Sequence, residues 1–228
     1  MEVRLESQPL ANAYADTASA ALASERYPLA NGKCPDCGLV QLYRAPPPGL
    51  FDSDYPFRQG TSKTWVAHLE RWTRTVSPDH GRHLDVGAND GTLIKLMSLK
   101  GWTSWGVDPA PAGPMVASGT MGLELAKAFL DDLIEPFNLI TAFNVLAHVS
   151  DLDDFLGGIA LLLHDGGRAV FEVPDWSLST WMSVYHEHQC YFTKETLTDC
   201  LQRRGFLVVS MESQPTHEGS WRATCMIA

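Results

Sequence analysis

Tyr185-His186-Glu187-His188 places a candidate base, an acid partner and a hydroxyl within four residues. Such a set can take a proton from carbon beside a carbonyl, or from a hydroxyl or ammonium group. If the segment is extended, Glu187 faces one side and His186 and His188 the other. The same His-x-His pair, joined by Glu187, His148 or His217, is also a candidate mixed N/O metal site, although no third ligand sits at a diagnostic spacing. A second reactive pair is Cys34 and Cys37 in CPDCG, a knuckle whose Pro35 and Gly38 shape a tight turn. Zinc takes four such ligands and this pair supplies two; free thiols or a redox pair are the alternatives. Cys190, Cys200 and Cys225 read as ordinary core thiols.

The stretch Arg82 to Pro109 reads as a binding element. An apolar run carrying Asp85 meets a Gly-rich turn with Gly87, Asn89, Asp90 and Gly91. A helical segment follows, then a second apolar run ending on Asp108 and Pro109. A strand, loop, helix and strand of this kind holds a nucleoside-like cofactor: the glycines admit the ligand, the helix start offers N–H groups, and Asp108 suits a ribose diol. An acid at Asp90 would repel a pyrophosphate and suits a cofactor carrying positive charge, such as S-adenosylmethionine.

Around these residues the chain alternates strand and helix. Thr61 to Val76 places Trp65, Leu69, Trp72 and Val76 on one helical face, with Ser77-Pro78-Asp79 ending the helix. Strands are expected at 83–88, 104–108, 168–173, 206–211 and 221–227, and Phe137 to Val149 reads as a strand running into a loop. Helices are expected at 92–100, 111–118, 151–164 and 193–204, the last opening on a capping box of Thr193 and Thr196. This order predicts an α/β fold with a doubly wound, mostly parallel sheet and an antiparallel edge. Residues 1–60 have a different texture, Ala-rich at 11–24 and then rich in Pro and Gly, and form a small irregular N-terminal lobe; 61–228 form the cofactor-binding domain. Trp176 and Trp181 are expected in an apolar pocket wall.

The chain has 228 residues and a formal net charge of −10, which argues against nucleic acid as the main partner. Its apolar runs are too short for a membrane helix and its N-terminus lacks a secretory h-region. Five cysteines in such a chain point to a reducing, cytoplasmic setting.

The motifs DVGANDG and GVDP resemble the first two of the class I S-adenosylmethionine-dependent methyltransferases. PLANAYAD, YPLANGKCPDCGLVQL, DSDYPF, NVLAHVSDLDDFLGG, FEVPD, YHEHQCYFT and HEGSWR, in that order from Pro9 to Arg222, resemble the sugar C-methyltransferases that act on nucleotide-linked 4-keto deoxysugars. The resemblance implies S-adenosylmethionine held by Asp85, Gly87, Asn89, Asp90, Gly91, Asp108, Pro109, Asn144, Val145 and His148. It implies His188 as general base with Tyr185 and Glu187 orienting substrate or base, and His186 as second choice. Tyr55, Phe57, Tyr191 and His217 would meet a small-molecule acceptor. Family members carry an earlier CxxC that completes a four-cysteine zinc site and a second Rossmann-like domain; this chain has neither. Phe57 stands where an aromatic hydroxyl is expected, and Phe143 replaces the first Asn of the family's NNV. The shortened form points to a smaller acceptor, or to a homo-oligomer or partner chain that supplies surface. Methylation of oxygen or nitrogen, and a non-catalytic module that binds cofactor or a partner, are the other readings.

Overall fold

The computed structural model describes residues 4–11, 14–44, 50–51, 55–77, 81–113, 116–131, 135–178 and 183–228. Eleven strands and six α-helices lie among them, in two sheets.

The larger sheet frames the part of the chain from Arg82 onward. β4 (Arg82–Val86) lies at its centre, parallel to β5 (Thr103–Asp108) on one side and to β7 (Phe137–Phe143) on the other. β5 pairs in parallel with β6 (Val116–Ser118), and β7 with β8 (Leu163–Pro174). β10 (Phe206–Gln214) and β11 (Ser220–Ile227) form the closing hairpin. β11 inserts antiparallel beside β8, which leaves β10 at the edge, so the order is β10-β11-β8-β7-β4-β5-β6. The continuous apolar character of β4 and β7 follows from this position: both are buried along nearly their whole length, as strands covered by helices on both faces must be.

The helices begin where the sequence offers caps. Ser62 accepts from the Trp65 N–H at the start of α2 (Lys63–Thr75), and Asp151 from the Asp154 N–H at the start of α5 (Leu152–Leu162). Thr193 and Thr196 form the expected capping box of α6 (Lys194–Gln202). α2 buries Trp65, Leu69 and Trp72 against Leu93 and Met97 of α3 (Thr92–Ser98), as its stripe predicts; it also buries His68, which an apolar stripe does not reveal. Pro78, Asp79 and Trp181 lie outside the described residues.

Two expectations need correction. Residues 111–118 do not form a helix: Val116–Ser118 is β6, and the helix in this region is α4, at Leu123–Asp131. Gly113, inside the expected span, disfavours helix by its backbone entropy. The N-terminal part is not irregular. Its Ala-rich run yields only α1 (Ala18–Leu22) behind the Thr17 cap, and β1 (Arg4–Gln8), β2 (Tyr27–Lys33) and β3 (Val40–Leu42) form an antiparallel sheet. Its fourth strand, β9 (Cys190–Tyr191), comes from just after the YHEH segment and pairs with β3. The pairing was hidden because Pro28, Asn31 and Gly32 dilute the alternation of β2 and the partner strand is remote in sequence.

No helix among the described residues is long and apolar enough to cross a membrane.

Candidate functional site

The strand ends of β4, β5 and β7 open into a cavity of about 1120 Å³, walled by the first turns of α2, the segment 55–59, the 185–189 turn and the 215–217 turn. Its position outside the carboxyl ends of parallel strands is where α/β sheets bind ligands.

One end is built from the Gly-rich turn. Gly87 takes φ +74°, and a Cβ there would stand 2.3 Å from Val145 Cγ2. Both facts demand glycine. Asn89 follows with φ +52°. Asp108, at the end of β5, accepts the Asn89 N–H at 2.9 Å on Oδ2 and the Ala110 N–H at 2.7 Å on Oδ1, leaving lone pairs on both oxygens. Gly87, Asn89, Asp108, Pro109, Asn144, Val145 and His148 all line the cavity.

Asp85, Asp90 and Gly91 do not line it. Asp85 is buried beneath the turn, where its Oδ1 accepts the Thr141 hydroxyl at 2.7 Å and burial raises its carboxyl to about 7. Gly91 is the N-cap of α3. Asp90 corrects the charge argument drawn from the sequence. Its Oδ1 accepts from the Thr92 N–H and hydroxyl, and its Oδ2 from the Gly60 N–H at 2.7 Å. It fastens the segment before α2 onto the turn. Asn89 does the same, accepting from Gln59 N–H and donating to the Phe57 carbonyl. Gln59 then reaches back from its Nε2 to the Gly87 carbonyl at 3.2 Å. Sequence reading missed Gln59, which belongs to no motif.

The YHEH segment is a turn, not an extended strand. The His188 N–H donates to the Tyr185 carbonyl at 3.1 Å, so residues i and i+3 meet on one side. The Tyr185 hydroxyl and His188 Nε2 are 2.8 Å apart and their rings lie 4.2 Å centre to centre. Tyr185, Glu187 and His188 line the cavity. His186 does not. Its ring turns toward the N-terminal sheet, with Nε2 3.2 Å from the Tyr27 carbonyl. As a second-choice base it is misplaced. Tyr191 also lies behind the wall, tilted against Trp176 with ring centres 4.7 Å apart and bordering a small void beyond His188. Trp176 borders that void too rather than the main cavity.

The charge states follow from enclosure. Burial, and then the neighbouring His148, hold the His188 imidazole well below its ordinary range, against a hydrogen bond to the Ser183 backbone that favours the charged form. His188 is therefore neutral at pH 7, with the Tyr185 hydroxyl donating to Nε2. His148 is likewise lowered by burial, and its Nδ1–H donates to the Glu187 carbonyl at 2.7 Å. Its ring stands 5.0 Å from that of His188. Burial raises the phenols of Tyr55 and Tyr185, with Glu187 adding to it, so both remain protonated donors.

Tyr55, Phe57 and His217 also line the cavity. Behind His217 is a buried charged cluster that the sequence did not mark as such. Glu172 on β8 receives Arg222 Nε at 2.8 Å, lies 2.9 Å from His68 Nε2 and accepts the Thr216 hydroxyl at 2.9 Å. Burial alone would raise Glu172, but the His68 hydrogen bond and Arg222 outweigh it and hold the carboxyl below its usual range. Its only sequence signal was that FEVPD and HEGSWR each carry a charged residue within a buried strand.

Cys34 and Cys37 lie apart from the cavity, half-buried as free thiols. Backbone N–H groups of Cys37 and Asp36 lower the Cys34 thiol. No group of three or more His, Cys, Asp or Glu suited to a metal occurs among the described residues. The knuckle thus offers two of zinc's four ligands and does not by itself fit a complete site; nor do His186 and His188, which face different ways.

A family model described as "Methyltransferase domain" matches residues 58–211, and one described as "Putative zinc binding domain" matches residues 2–51. The chain is 24% identical over 210 residues to the C-methyltransferase NovU of Streptomyces niveus, covering 85% of this chain and 50% of NovU. It is 31% identical over 97 residues to the ubiquinone biosynthesis O-methyltransferase of Pseudomonas putida, covering 39% of this chain and 42% of that protein. The chain thus spans half or less of the length of these curated relatives. Among solved structures, the glycopeptide N-methyltransferase MtfA complexed with S-adenosylmethionine aligns with a TM-score of 0.55 at 11% identity, over 81% of this chain and 100% of that one.

Proposed function

Because the chain belongs to the methyltransferase domain family, we propose that it is an S-adenosylmethionine-dependent methyltransferase that methylates carbon beside a ketone in a small-molecule acceptor. The observation that carries this reading is one cavity holding both halves of the reaction: Asp108 with the Gly87–Asn89 turn at one end, and His188 with Tyr185 and Glu187 in its wall.

The residues at the first end fit the cofactor. Asp108 keeps lone pairs for two ribose hydroxyls, Gly87 keeps the turn low, and Asn144, Val145 and His148 close the space beyond β7. The acids Asp108 and Glu187 suit a ligand with an ammonium and a sulfonium. When bound, the cofactor supplies an electrophilic methyl carbon and takes the electron pair of the breaking S–C bond.

Carbon becomes a nucleophile only when a proton is removed next to the carbonyl. His188 is the base: its imidazole is neutral, and Nε2 exchanges its Tyr185 hydrogen bond for the substrate proton. The C–H electron pair becomes the enolate double bond, and the carbonyl oxygen takes up the negative charge. That carbon then forms the new C–C bond, the carbonyl re-forms, and the proton on His188 passes to solvent. Tyr185 and Tyr55, held protonated, orient the acceptor, and the walls exclude water. The similarity to NovU over most of this chain supports carbon as the methylated atom.

The test is incubation with methyl-labelled S-adenosylmethionine and a panel of keto acceptors that includes nucleotide-linked 4-keto-6-deoxyhexoses, with the label located by NMR. Label on carbon, lost in His188→Ala while calorimetric cofactor affinity is kept, is the expected result. Label on oxygen or nitrogen overturns the carbon assignment. Loss of cofactor affinity in His188→Ala makes that residue structural.

A further inference from the structure

The turn between β10 and β11 is strained where it meets the cavity. His217 and Glu218 take φ +52° and +62°, and Gly219 follows at +131°. Two successive non-glycine residues in the left-handed region cost free energy that surrounding contacts must offset. Those contacts are present. The Thr216 hydroxyl donates to Glu172, the Ser220 hydroxyl to the Thr216 carbonyl at 3.0 Å, and the Asp175 N–H to the Gly219 carbonyl at 2.9 Å. Glu172 is itself fixed by Arg222 and His68. His68 stacks on Trp65 at 5.2 Å, and Trp65 meets the His217 ring edge-to-face at 5.5 Å. Contacts from α2, from β8 with the adjoining Asp175, and from β11 thus hold one imidazole against the cavity.

The Asn144 side-chain amide donates to His217 Nδ1 at 3.4 Å, which assigns the ring proton to Nε2. His217 therefore has the opposite character to His148 and His188, whose Nε2 atoms carry lone pairs. It lies near enough that a charge on it would depress both.

We propose that His217 is a second catalytic residue, whose Nε2–H donates to the acceptor's carbonyl oxygen as the enolate forms, and that Glu172, Arg222 and Thr216 are its positioning residues. This rests on the C-methylation reading. No bond to His217 is made or broken; the oxygen gains charge when His188 takes the carbon-bound proton, and loses it when the carbonyl re-forms. Two histidines of complementary tautomer then divide the work, one accepting a proton and one donating a hydrogen bond.

Two experiments on the full chain test it. In protein labelled with ¹⁵N-histidine, with His217 assigned by comparison with His217→Gln, long-range NMR should find a neutral ring protonated on Nε2 from pH 6 to 8. A proton on Nδ1, or an imidazolium at pH 7, overturns the assignment. The second follows exchange of the α-proton of a nucleotide-linked 4-keto-6-deoxyhexose for deuterium. His217→Phe should slow exchange by about 10²- to 10³-fold, the usual loss of one oxyanion donor, with unchanged S-adenosylmethionine affinity and partial rescue in His217→Gln. Thr216→Val, which leaves the Glu172–Arg222 pair intact, should lower kcat more than it raises KM. Exchange in His217→Phe at the wild-type rate sinks the role of His217 alone. Absence of exchange in the wild type sinks the C-methylation reading and this role with it.

Discussion

The Tyr185 hydroxyl meets His188 Nε2 at 2.8 Å across a single turn, so the proposed base is held by a group three residues before it. The donor stabilises the neutral ring and orients it toward the cavity. Tyr185→Phe should lower kcat by at least about 10²-fold, the lower end of what a positioned acid–base group contributes. It should also move the acid limb of the rate profile upward, because the removed bond favoured the neutral imidazole. An unmoved limb would show that the hydroxyl does not act on His188.

With His188 as the proposed base, its lowered imidazole sets the pH behaviour expected of the wild type. A base is active when unprotonated, so kcat/KM should fall only as pH drops below the range of an ordinary histidine near 6.5. Activity measured from pH 5 to 8 should stay nearly flat through the ordinary histidine range near 6.5. A midpoint at or above 6.5 would contradict the buried, neutral His188 described here.

Gly87 has two reasons to be glycine, its φ of +74° and the 2.3 Å approach of Val145 to a Cβ. Gly87→Ala should destabilise the fold by about 1–3 kcal/mol. Calorimetry should show weaker S-adenosylmethionine binding, since the turn must move.

Asp85 and His83 share a buried relay. Ser104 meets His83 Nδ1 at 3.2 Å, His83 Nε2 meets Thr141 at 2.9 Å, and Thr141 donates to Asp85. Burial raises Asp85 from 3.8 to about 7 and lowers His83 from 6.5 to about 3. From about pH 4 to 7 the folded chain keeps a proton on Asp85 that the unfolded chain has lost, so this group's contribution to stability declines as pH rises. His83 acts the other way between about pH 3 and 6.5. Asp85→Asn removes only the first effect, and its stability relative to wild type should rise across pH 4 to 7 in urea titrations. A pH-independent difference would refute the raised carboxyl.

Arg222 and Glu172 are 7% and 0% exposed, so removing one partner leaves the other's charge enclosed. Arg222→Met should cost about 3–5 kcal/mol, read from the urea midpoint at constant m-value. Adding Glu172→Gln should recover part of that loss.

Much of the fold was legible because the local signals agreed. The parallel strands are short buried runs, the caps at Ser62, Asp151 and Thr193 mark helix starts, and α2 carries its stripe at helical spacing. The region after Asp108 was misread because Gly113 disfavours a helix there and a three-residue strand has too short a pattern to show its period. The four-stranded N-terminal sheet depends on β9, some 150 residues beyond its partner β3, which local periodicity cannot reveal.

The sequence by itself determined which chemically capable residue types stand at which spacings. A Gly-rich turn, an acid ending the next strand and a cluster of His, Tyr and Glu are statements about residue type and spacing, and Asp108, Tyr185 and His188 do share one cavity. Tertiary structure decided what each of them faces. A turn rather than a strand at 185–188 paired Tyr185 with His188 and sent His186 away. Asp90 spent its carboxylate on Gly60 and Thr92 instead of on a ligand. Glu172, Arg222 and His68, on three separate elements, became one cluster behind His217. The physical reason is the same in each case: a side chain's partners are set by distances through space, and burial makes satisfying them compulsory.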